Sequence, residues 1–96
     1  MSSGEKQETM VKATPLRDRI RSFILENYLF TTDVSALGLD DSLLGKGIVD
    51  STGMLEIILF LEEQLGVALK EEEMTPDNLD SVNKIARFVE TKRKAA

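Results

Sequence analysis

More apolar side chains occur between residues 51 and 65 than one face of a helix can hold. Four of them have the three- and four-residue spacing of a face that packs on a core: Ile57, Ile58, Leu61 and Leu65. Four others are in excess of that face: Met54, Leu55, Leu59 and Phe60. Such a surplus indicates burial on two sides or an exposed apolar patch, and we expect some of each. Gly66 is expected to end this helix as its C-terminal glycine.

Two further segments have helical periodicity, and no segment alternates in the manner of a β-strand. The first helix is predicted over residues 15–29, and the last from a cap at Asp80 or Ser81 to about residue 92. Pro76 starts a short turn before the last helix. The sequence therefore predicts an all-α fold: a small bundle of three main helices plus one short helix, with a long loop between helices one and two.

The long loop, residues 30–50, has no periodicity and is punctuated by glycine. Loops of this length are uncommon in compact domains and are often functional. Near the end of the loop, Gly47 permits a close approach or an unusual backbone angle. Seven apolar side chains are expected to hold the loop against the core: Val34, Leu37, Leu39, Leu43, Leu44, Ile48 and Val49.

A chain of 96 residues allows one small domain, predicted over residues 15–93 between a disordered leader at 1–14 and a short tail at 94–96. It contains no His and no Cys, which excludes disulfides, thiol chemistry and the common zinc sites. A bundle this small offers little cleft for paired catalytic carboxylates, so we do not expect an enzyme. Because no apolar run is long enough to span a bilayer and no signal peptide is evident, we expect a cytoplasmic protein without membrane insertion.

The acidic residues are concentrated in one part of a chain whose net charge is −5. Residues 40–80 hold eleven acidic and two basic side chains, against six acidic and ten basic elsewhere, so the two parts carry −9 and +4. An acidic surface repels phosphate backbones and attracts basic partners. With no Trp and one Tyr, the chain also has little surface for stacking bases, and no nucleic-acid binding is expected. The acidity surrounds Ser51, which favours a docking surface over a merely solvated one.

Asp50 and Ser51 stand at the start of the second helix. The free N–H groups and partial positive charge of a helix N-terminus favour a phosphate ester on Ser51 by ~0.3–1 kcal/mol at an exposed site. Because the chain has no His or Cys to activate it, we interpret the Ser51 hydroxyl as a group that another enzyme modifies. Asp50 is placed to bind a divalent cation beside that enzyme. The alternative is that Asp50 or Ser51 is only an N-cap, worth ~1 kcal/mol.

Three blocks of sequence around this pair resemble the acyl carrier protein family. They are Gly-Ile-Val-Asp-Ser at 47–51, Leu-Glu-Ile-Ile at 55–58 and Leu-Glu-Glu-Gln-Leu-Gly-Val at 61–67. In that family a glycine, an aliphatic pair and Asp-Ser precede an acidic second helix that ends in Leu-Glu-Glu. The resemblance covers about residues 15–92, including the long first loop, the short third helix and the closing helix.

The resemblance implies that Ser51 receives a 4′-phosphopantetheine arm from coenzyme A through a phosphodiester. A magnesium-dependent phosphopantetheinyl transferase makes this bond in the family, and Asp50 is expected to assist the attachment. The arm supplies the thiol that the chain lacks. It carries acyl or aminoacyl groups as thioesters to partner enzymes in fatty-acid, polyketide or other secondary biosynthesis.

The same resemblance implies a partner-binding surface on helix two. Glu56, Glu62 and Glu63 would meet basic patches on the loading ligase and on downstream acyl-transfer enzymes. Leu55 and Leu59 would add apolar contacts, and the carrier is expected to be a monomer. Exposed glutamates on a helix also commonly serve only as a solvated face, and that alternative stays open.

Two residues depart from the pattern of common fatty-acid carriers, which have Leu and then Asp after the serine. Thr52 and Gly53 stand there instead, and the glycine weakens the first helical turn by ~1 kcal/mol relative to Ala. The departure indicates a specialised stand-alone carrier, such as an aminoacyl carrier loaded by a dedicated ATP-dependent ligase. The alternative outside the family is an unmodified helical module that binds a basic partner through acidic helix two.

Overall fold

The computed structural model describes residues 15–95, so the leader predicted at 1–14 and the last residue of the predicted tail lie outside the described residues. Its four helices are α1 (Leu16–Ile24), α2 (Ser51–Gln64), α3 (Pro76–Leu79) and α4 (Val82–Ala95). Shorter turns accompany them: a π-helical stretch, Leu25–Leu29, continues α1, and 3₁₀ turns lie at Val34–Ala36 and Glu71–Glu73. The predicted all-α bundle of three main helices and one short helix is confirmed.

The bounds of the helices differ little from the predicted ones. Pro15 precedes α1 rather than opening it, because its ψ of 145° is extended. The second helix stops at Gln64, and Gly66, with a φ of +69°, follows its end as expected. The last helix continues to Ala95, beyond the end predicted at about residue 92.

The core lies between α1, α2 and α4 and consists mainly of aliphatic side chains. It includes the whole row that the spacing of the second helix predicted: Ile57, Ile58, Leu61 and Leu65. Full burial of such a side chain stabilises a fold by about 1.5–3 kcal/mol, so this row fixes the orientation of α2. The surplus divides as expected, because Met54 and Phe60 are partly buried while Leu55 and Leu59 are 59% and 51% exposed.

The long loop is held to the core by most of the side chains predicted to do so. Leu37, Leu43 and Val49 are buried, and Leu39 and Ile48 are partly buried. The prediction was wrong for Val34 and Leu44, which are 53% and 39% exposed. Val34 stands in a 3₁₀ turn that Asp33 caps by accepting the Ser35 N–H at 3.0 Å, and Leu44 borders a surface groove.

Asp80 joins this loop to the start of α4. Its backbone carbonyl accepts the Leu43 N–H at 2.8 Å, and its carboxylate accepts the Leu44 N–H at 2.9 Å. The helix itself is capped by Ser81, whose hydroxyl oxygen accepts the Lys84 N–H at 3.1 Å. Of the two caps that the sequence allowed, Ser81 is therefore the one used, because the Asp80 carboxylate is engaged on the loop.

Candidate functional site

Asp50 and Ser51 join the long loop to α2. Gly47 turns the chain with a φ of +71°, and Val49, which is 5% exposed, then fixes it in the core. Asp50 is the N-cap, and its Oδ1 accepts the Gly53 N–H at 2.7 Å. Ser51 is the first residue of the helix and is exposed. The cap interpretation is therefore right for Asp50, and it leaves the Ser51 hydroxyl on the surface.

The first turn of α2 presents backbone N–H groups beside this hydroxyl. Of the four N–H groups of residues 51–54, Asp50 accepts two. Its carboxylate accepts that of Gly53, and its backbone carbonyl accepts that of Met54 at 2.9 Å. The N–H groups of Ser51 and Thr52 come before the first intrahelical hydrogen bond and have no helical acceptor. Together with the helix dipole they favour a negatively charged group next to the Ser51 hydroxyl.

An apolar groove of about 210 Å³ opens beside Ser51, between α2 and the segment that leads into α3. It is lined by Leu44, Ser51, Met54, Leu55, Ile58, Met74, Thr75, Pro76 and Leu79. An engineered cavity of ~150 Å³ in another protein accepts benzene, so this groove has room for a small apolar group. Sequence reasoning missed its far wall, because residues 66–75 have no periodicity that would place Met74.

Glu73 holds the segment that forms this far wall. Its carboxylate accepts the Lys70 N–H at 2.9 Å and a hydrogen bond from Lys92 Nζ at 3.0 Å, and its carbonyl accepts one from Asn78 Nδ2 at 2.9 Å. The Lys70 N–H and then the Lys92 ammonium hold the pKa of Glu73 below its usual range. Met74 follows directly, so these contacts set its place at the edge of the groove.

Tyr28 reaches the first turn of α2 from the π-helical end of α1. Its hydroxyl donates to the Glu56 carboxylate and lies 3.2 Å from the Gly53 carbonyl oxygen. Burial, and then the neighbouring Glu56 carboxylate, raises the pKa of Tyr28 well above its ordinary value of ~10. Nothing local in the sequence indicates this contact, because Tyr28 and Gly53 lie 25 positions apart.

The chain is similar to curated relatives called D-alanyl carrier protein. The one from Streptococcus pyogenes serotype M5 (strain Manfredo) is 36% identical over 62 residues, which make up 65% of this chain and 77% of the relative. Those from Streptococcus sanguinis (strain SK36) and Streptococcus thermophilus are each 34% identical over 67 residues, 70% of this chain and 84% of the relative. No protein-family model matches the chain. The chain belongs to the acyl carrier protein family. It is a non-catalytic carrier, as the sequence predicted, and not an enzyme.

Membership of the acyl carrier protein family implies a phosphopantetheine group, and the residues around Ser51 fit one. The hydroxyl is exposed, the N–H groups of Ser51 and Thr52 are free to face a phosphate, and the apolar groove begins at the same residue. Ser51 Oγ would hold the group, and no side chain of the described residues has to move to expose that oxygen.

Gly53, one of the two departures from common fatty-acid carriers, has a structural reason. A Cβ at this position would lie 3.2 Å from Tyr28 Cε1, 3.2 Å from Val49 Cβ and 3.4 Å from Asp50 Oδ1. The first two distances are tighter than ordinary van der Waals contact, so the glycine permits the close approach of Tyr28 to α2. The ~1 kcal/mol that glycine costs in helix propensity is thereby offset by contacts between two helices.

The partner-binding residues predicted for this carrier divide between two environments. Leu55, Leu59 and Glu62 follow Ser51 at intervals of three and four residues, so they lie along the same side of α2 and are exposed. Glu63 is exposed as well, one position further around the helix. Glu56 differs from the other four, because its carboxylate accepts a hydrogen bond from the hydroxyl of Tyr28 in the π-helical stretch that follows α1.

The described residues hold no group of three or more His, Cys, Asp or Glu side chains arranged to bind a metal ion. None of the helices they form has the length and apolar character needed to cross a membrane.

Proposed function

We propose that the chain carries an aminoacyl group as a thioester on a 4′-phosphopantetheine arm attached to Ser51. The position of the Ser51 hydroxyl carries the proposal: it is exposed on the first residue of α2 and lies at the mouth of an apolar groove. The chain has no His or Cys that would turn this hydroxyl into a catalytic nucleophile. The bound arm would supply the thiol that the sequence lacks.

A phosphopantetheinyl transferase makes the attachment in this proposal. Ser51 Oγ forms a bond to the phosphorus on the pantetheine side of coenzyme A, and the hydroxyl proton passes to a base of the transferase. The P–O bond of the pyrophosphate breaks, and adenosine 3′,5′-bisphosphate leaves. Asp50 contacts the magnesium ion of the transferase through the carboxylate oxygen that does not cap α2. The helix N-terminus then favours the phosphodiester by ~0.3–1 kcal/mol.

Two observations bear on the cargo. The relatives are named for D-alanine, which supports an amino acid of that class, activated by a dedicated ATP-dependent ligase. The apolar groove supports a short acyl chain instead, as in fatty-acid or polyketide biosynthesis. We favour the aminoacyl cargo because the relatives match over most of their length. Its charged ammonium group would stay in water, since burial in an apolar groove without a partner is costly.

The loading ligase and the downstream transfer enzymes would dock on the exposed side of α2. Leu55 and Leu59 supply apolar contacts there, and Glu62 and Glu63 attract basic patches. Glu56 lies beside this surface, but its carboxylate is already bonded to Tyr28. We therefore assign Glu56 a smaller part in docking than the resemblance alone implied.

Intact mass tests the attachment. The full chain, incubated with coenzyme A, magnesium and a broad-specificity transferase, is expected to gain the mass of one phosphopantetheine. Ser51→Ala is expected to gain nothing, while Ser22→Ala, which removes another exposed serine, gains the arm like the wild type. An unmodified wild type would favour the alternative of a helical module that works without the arm. A gain retained in Ser51→Ala would overturn Ser51 as the attachment point, because the arm would then sit on another residue.

The mass of the protein purified from its native host tests the cargo. The adduct on Ser51 is expected to have the mass of phosphopantetheine plus one small amino acid. After hydroxylamine cleaves the thioester, this mass should fall to that of the arm alone. A long or short fatty acyl group in its place would contradict the aminoacyl proposal and leave the attachment intact.

A further inference from the structure

The hydroxyl of Tyr28 links the end of α1 to the turn that bears Ser51. It donates to the Glu56 carboxylate and lies 3.2 Å from the carbonyl oxygen of Gly53. The N–H of the same glycine donates to Asp50 Oδ1 at 2.7 Å. The N–H of Gly53 is therefore held by the N-cap, and its carbonyl oxygen lies against the tyrosine hydroxyl. Ser51 lies between Asp50 and Gly53 in sequence.

Local features on both helices direct the ring of Tyr28 to this place. The π-helical stretch Leu25–Leu29 widens the end of α1, and the Asn27 side chain donates to the Phe23 carbonyl at 2.8 Å. Phe23 packs edge-on against the tyrosine ring, with centroids 6.2 Å apart and planes at 72°. On the other helix, the missing side chain of Gly53 leaves the space that the ring edge occupies.

A phenol that only filled space would not need these polar contacts. A phenylalanine has nearly the same shape, and it would pack against the same glycine without a hydrogen bond to Glu56. The contacts of the hydroxyl fall instead on the one turn that the proposed function requires to be presented to another enzyme. They also satisfy the carboxylate of Glu56, which would otherwise extend freely beside the docking side of α2.

We propose that Tyr28 is a positioning residue, whose hydroxyl fixes the first turn of α2 through Gly53 and Glu56 and so presents Asp50 and Ser51 to the transferase. This inference rests on the proposed function of Ser51. It assigns no contact between Tyr28 and the incoming arm. A residue that positions the acceptor hydroxyl should affect the rate of transfer more than the binding of the transferase, because Leu55, Leu59, Glu62 and Glu63 on the docking side of α2 make no contact with Tyr28 and are unchanged.

Steady-state kinetics of phosphopantetheine transfer test the proposal with Tyr28→Phe, which keeps the ring and removes the hydroxyl. The kcat is expected to fall about two- to tenfold, the equivalent of one hydrogen bond, with little change in the KM for the carrier. The matched control is Thr91→Val, which deletes a hydroxyl that donates to the Arg87 carbonyl at 2.9 Å on α4. This control is expected to change neither constant.

A spectroscopic measurement checks the contact itself. The chain has one Tyr and no Trp, so the absorbance of ionised phenol reports Tyr28 alone. Its titration is expected well above the ordinary range in the wild type and closer to it in Glu56→Gln, which keeps an accepting oxygen and removes the charge.

The outcomes separate this inference from the proposed function. If the wild type gains no arm, the proposed function is wrong, and so is the inference that rests on it. A wild type that is modified while Tyr28→Phe keeps the same kcat overturns only the inference. A Tyr28→Phe variant whose rate falls in proportion to an unfolded fraction, measured by thermal melting, would make Tyr28 a packing residue and would overturn it too.

Discussion

The carboxylate of Asp50 divides its two oxygens between folding and the proposed chemistry. Oδ1 accepts the Gly53 N–H at 2.7 Å and begins α2. Within the described residues, Oδ2 has no hydrogen-bond partner, and it is the oxygen that a magnesium ion on a transferase would meet. Asp50 can therefore cap α2 with one oxygen and, in the proposed attachment, meet the magnesium ion with the other, while Ser51 supplies the hydroxyl that is modified.

Two substitutions of Asp50 separate these roles. Asp50→Ala removes the cap and is expected to lower the free energy of unfolding by about 1 kcal/mol. Asp50→Asn keeps an accepting oxygen and should unfold like the wild type, because Asn caps a helix as well as Asp does. Both variants are expected to accept phosphopantetheine more slowly, as measured by intact mass against time. A normal rate in Asp50→Asn would show that the charge of the carboxylate has no part in the attachment.

Ser51 and Asp50 could be proposed as candidates from the sequence because their signal is local. A glycine, an aliphatic pair and the polar pair adjoin one another before a helix with clear periodicity. The link from Tyr28 to Gly53 joins residues 25 positions apart, and no spacing rule connects them. Gly53 had a visible cost in the sequence, but the ring that explains it becomes apparent only when two helices are packed together.

The end of α1 shows how far periodicity determines an element. The predicted end at residue 29 is correct, but the last five residues, Leu25–Leu29, are π-helical rather than α-helical. Three- and four-residue spacing does not distinguish an α-helix from a short π-helical stretch, because the row of apolar side chains is similar in both kinds of helix. The helix then stops at Phe30, whose φ of 54° is left-handed although the residue is not glycine. Its side chain is 84% exposed, so packing of the ring does not offset the backbone strain.

Replacing Phe30 measures this strain. A left-handed conformation destabilises a residue with a Cβ by roughly 1–2 kcal/mol, and glycine avoids this steric strain. Phe30→Ala keeps the cost and serves as the matched control, since it also removes the exposed ring. Phe30→Gly is expected to be about 0.5–1 kcal/mol more stable than Phe30→Ala in urea unfolding, after the greater chain entropy of glycine is subtracted. Equal stability of the two variants would mean that the backbone at this position relaxes when the ring is lost.

Across the whole molecule, the acidic residues are paired unevenly. Within the segment 40–80, Asp41 has an ion-pair partner in Lys46 at 3.2 Å, and Glu73 has one in Lys92 at 3.0 Å. In the described part of the chain, Glu62 takes part in no ion pair. The charges of Asp41 and Glu73 are thus compensated by lysines, while Glu62 on the exposed side of α2 keeps an uncompensated charge. Composition revealed the excess of charge, but only the fold shows which carboxylates are free.

This uncompensated charge should make the approach of basic partners sensitive to salt. The Debye length is about 10 Å at 0.1 M ionic strength and about 3 Å at 1 M, so attraction between exposed groups is largely screened at the higher value. The KM of a basic transferase for the carrier is therefore expected to rise severalfold over that range while kcat changes little.

Glu62→Lys should raise the KM at low salt and flatten its salt dependence. Glu26→Lys makes the same change in net charge at an exposed position on the π-helical end of α1 and is the matched control. Equal effects of the two reversals would show that partners sense the total charge of the molecule rather than the acidic side of α2.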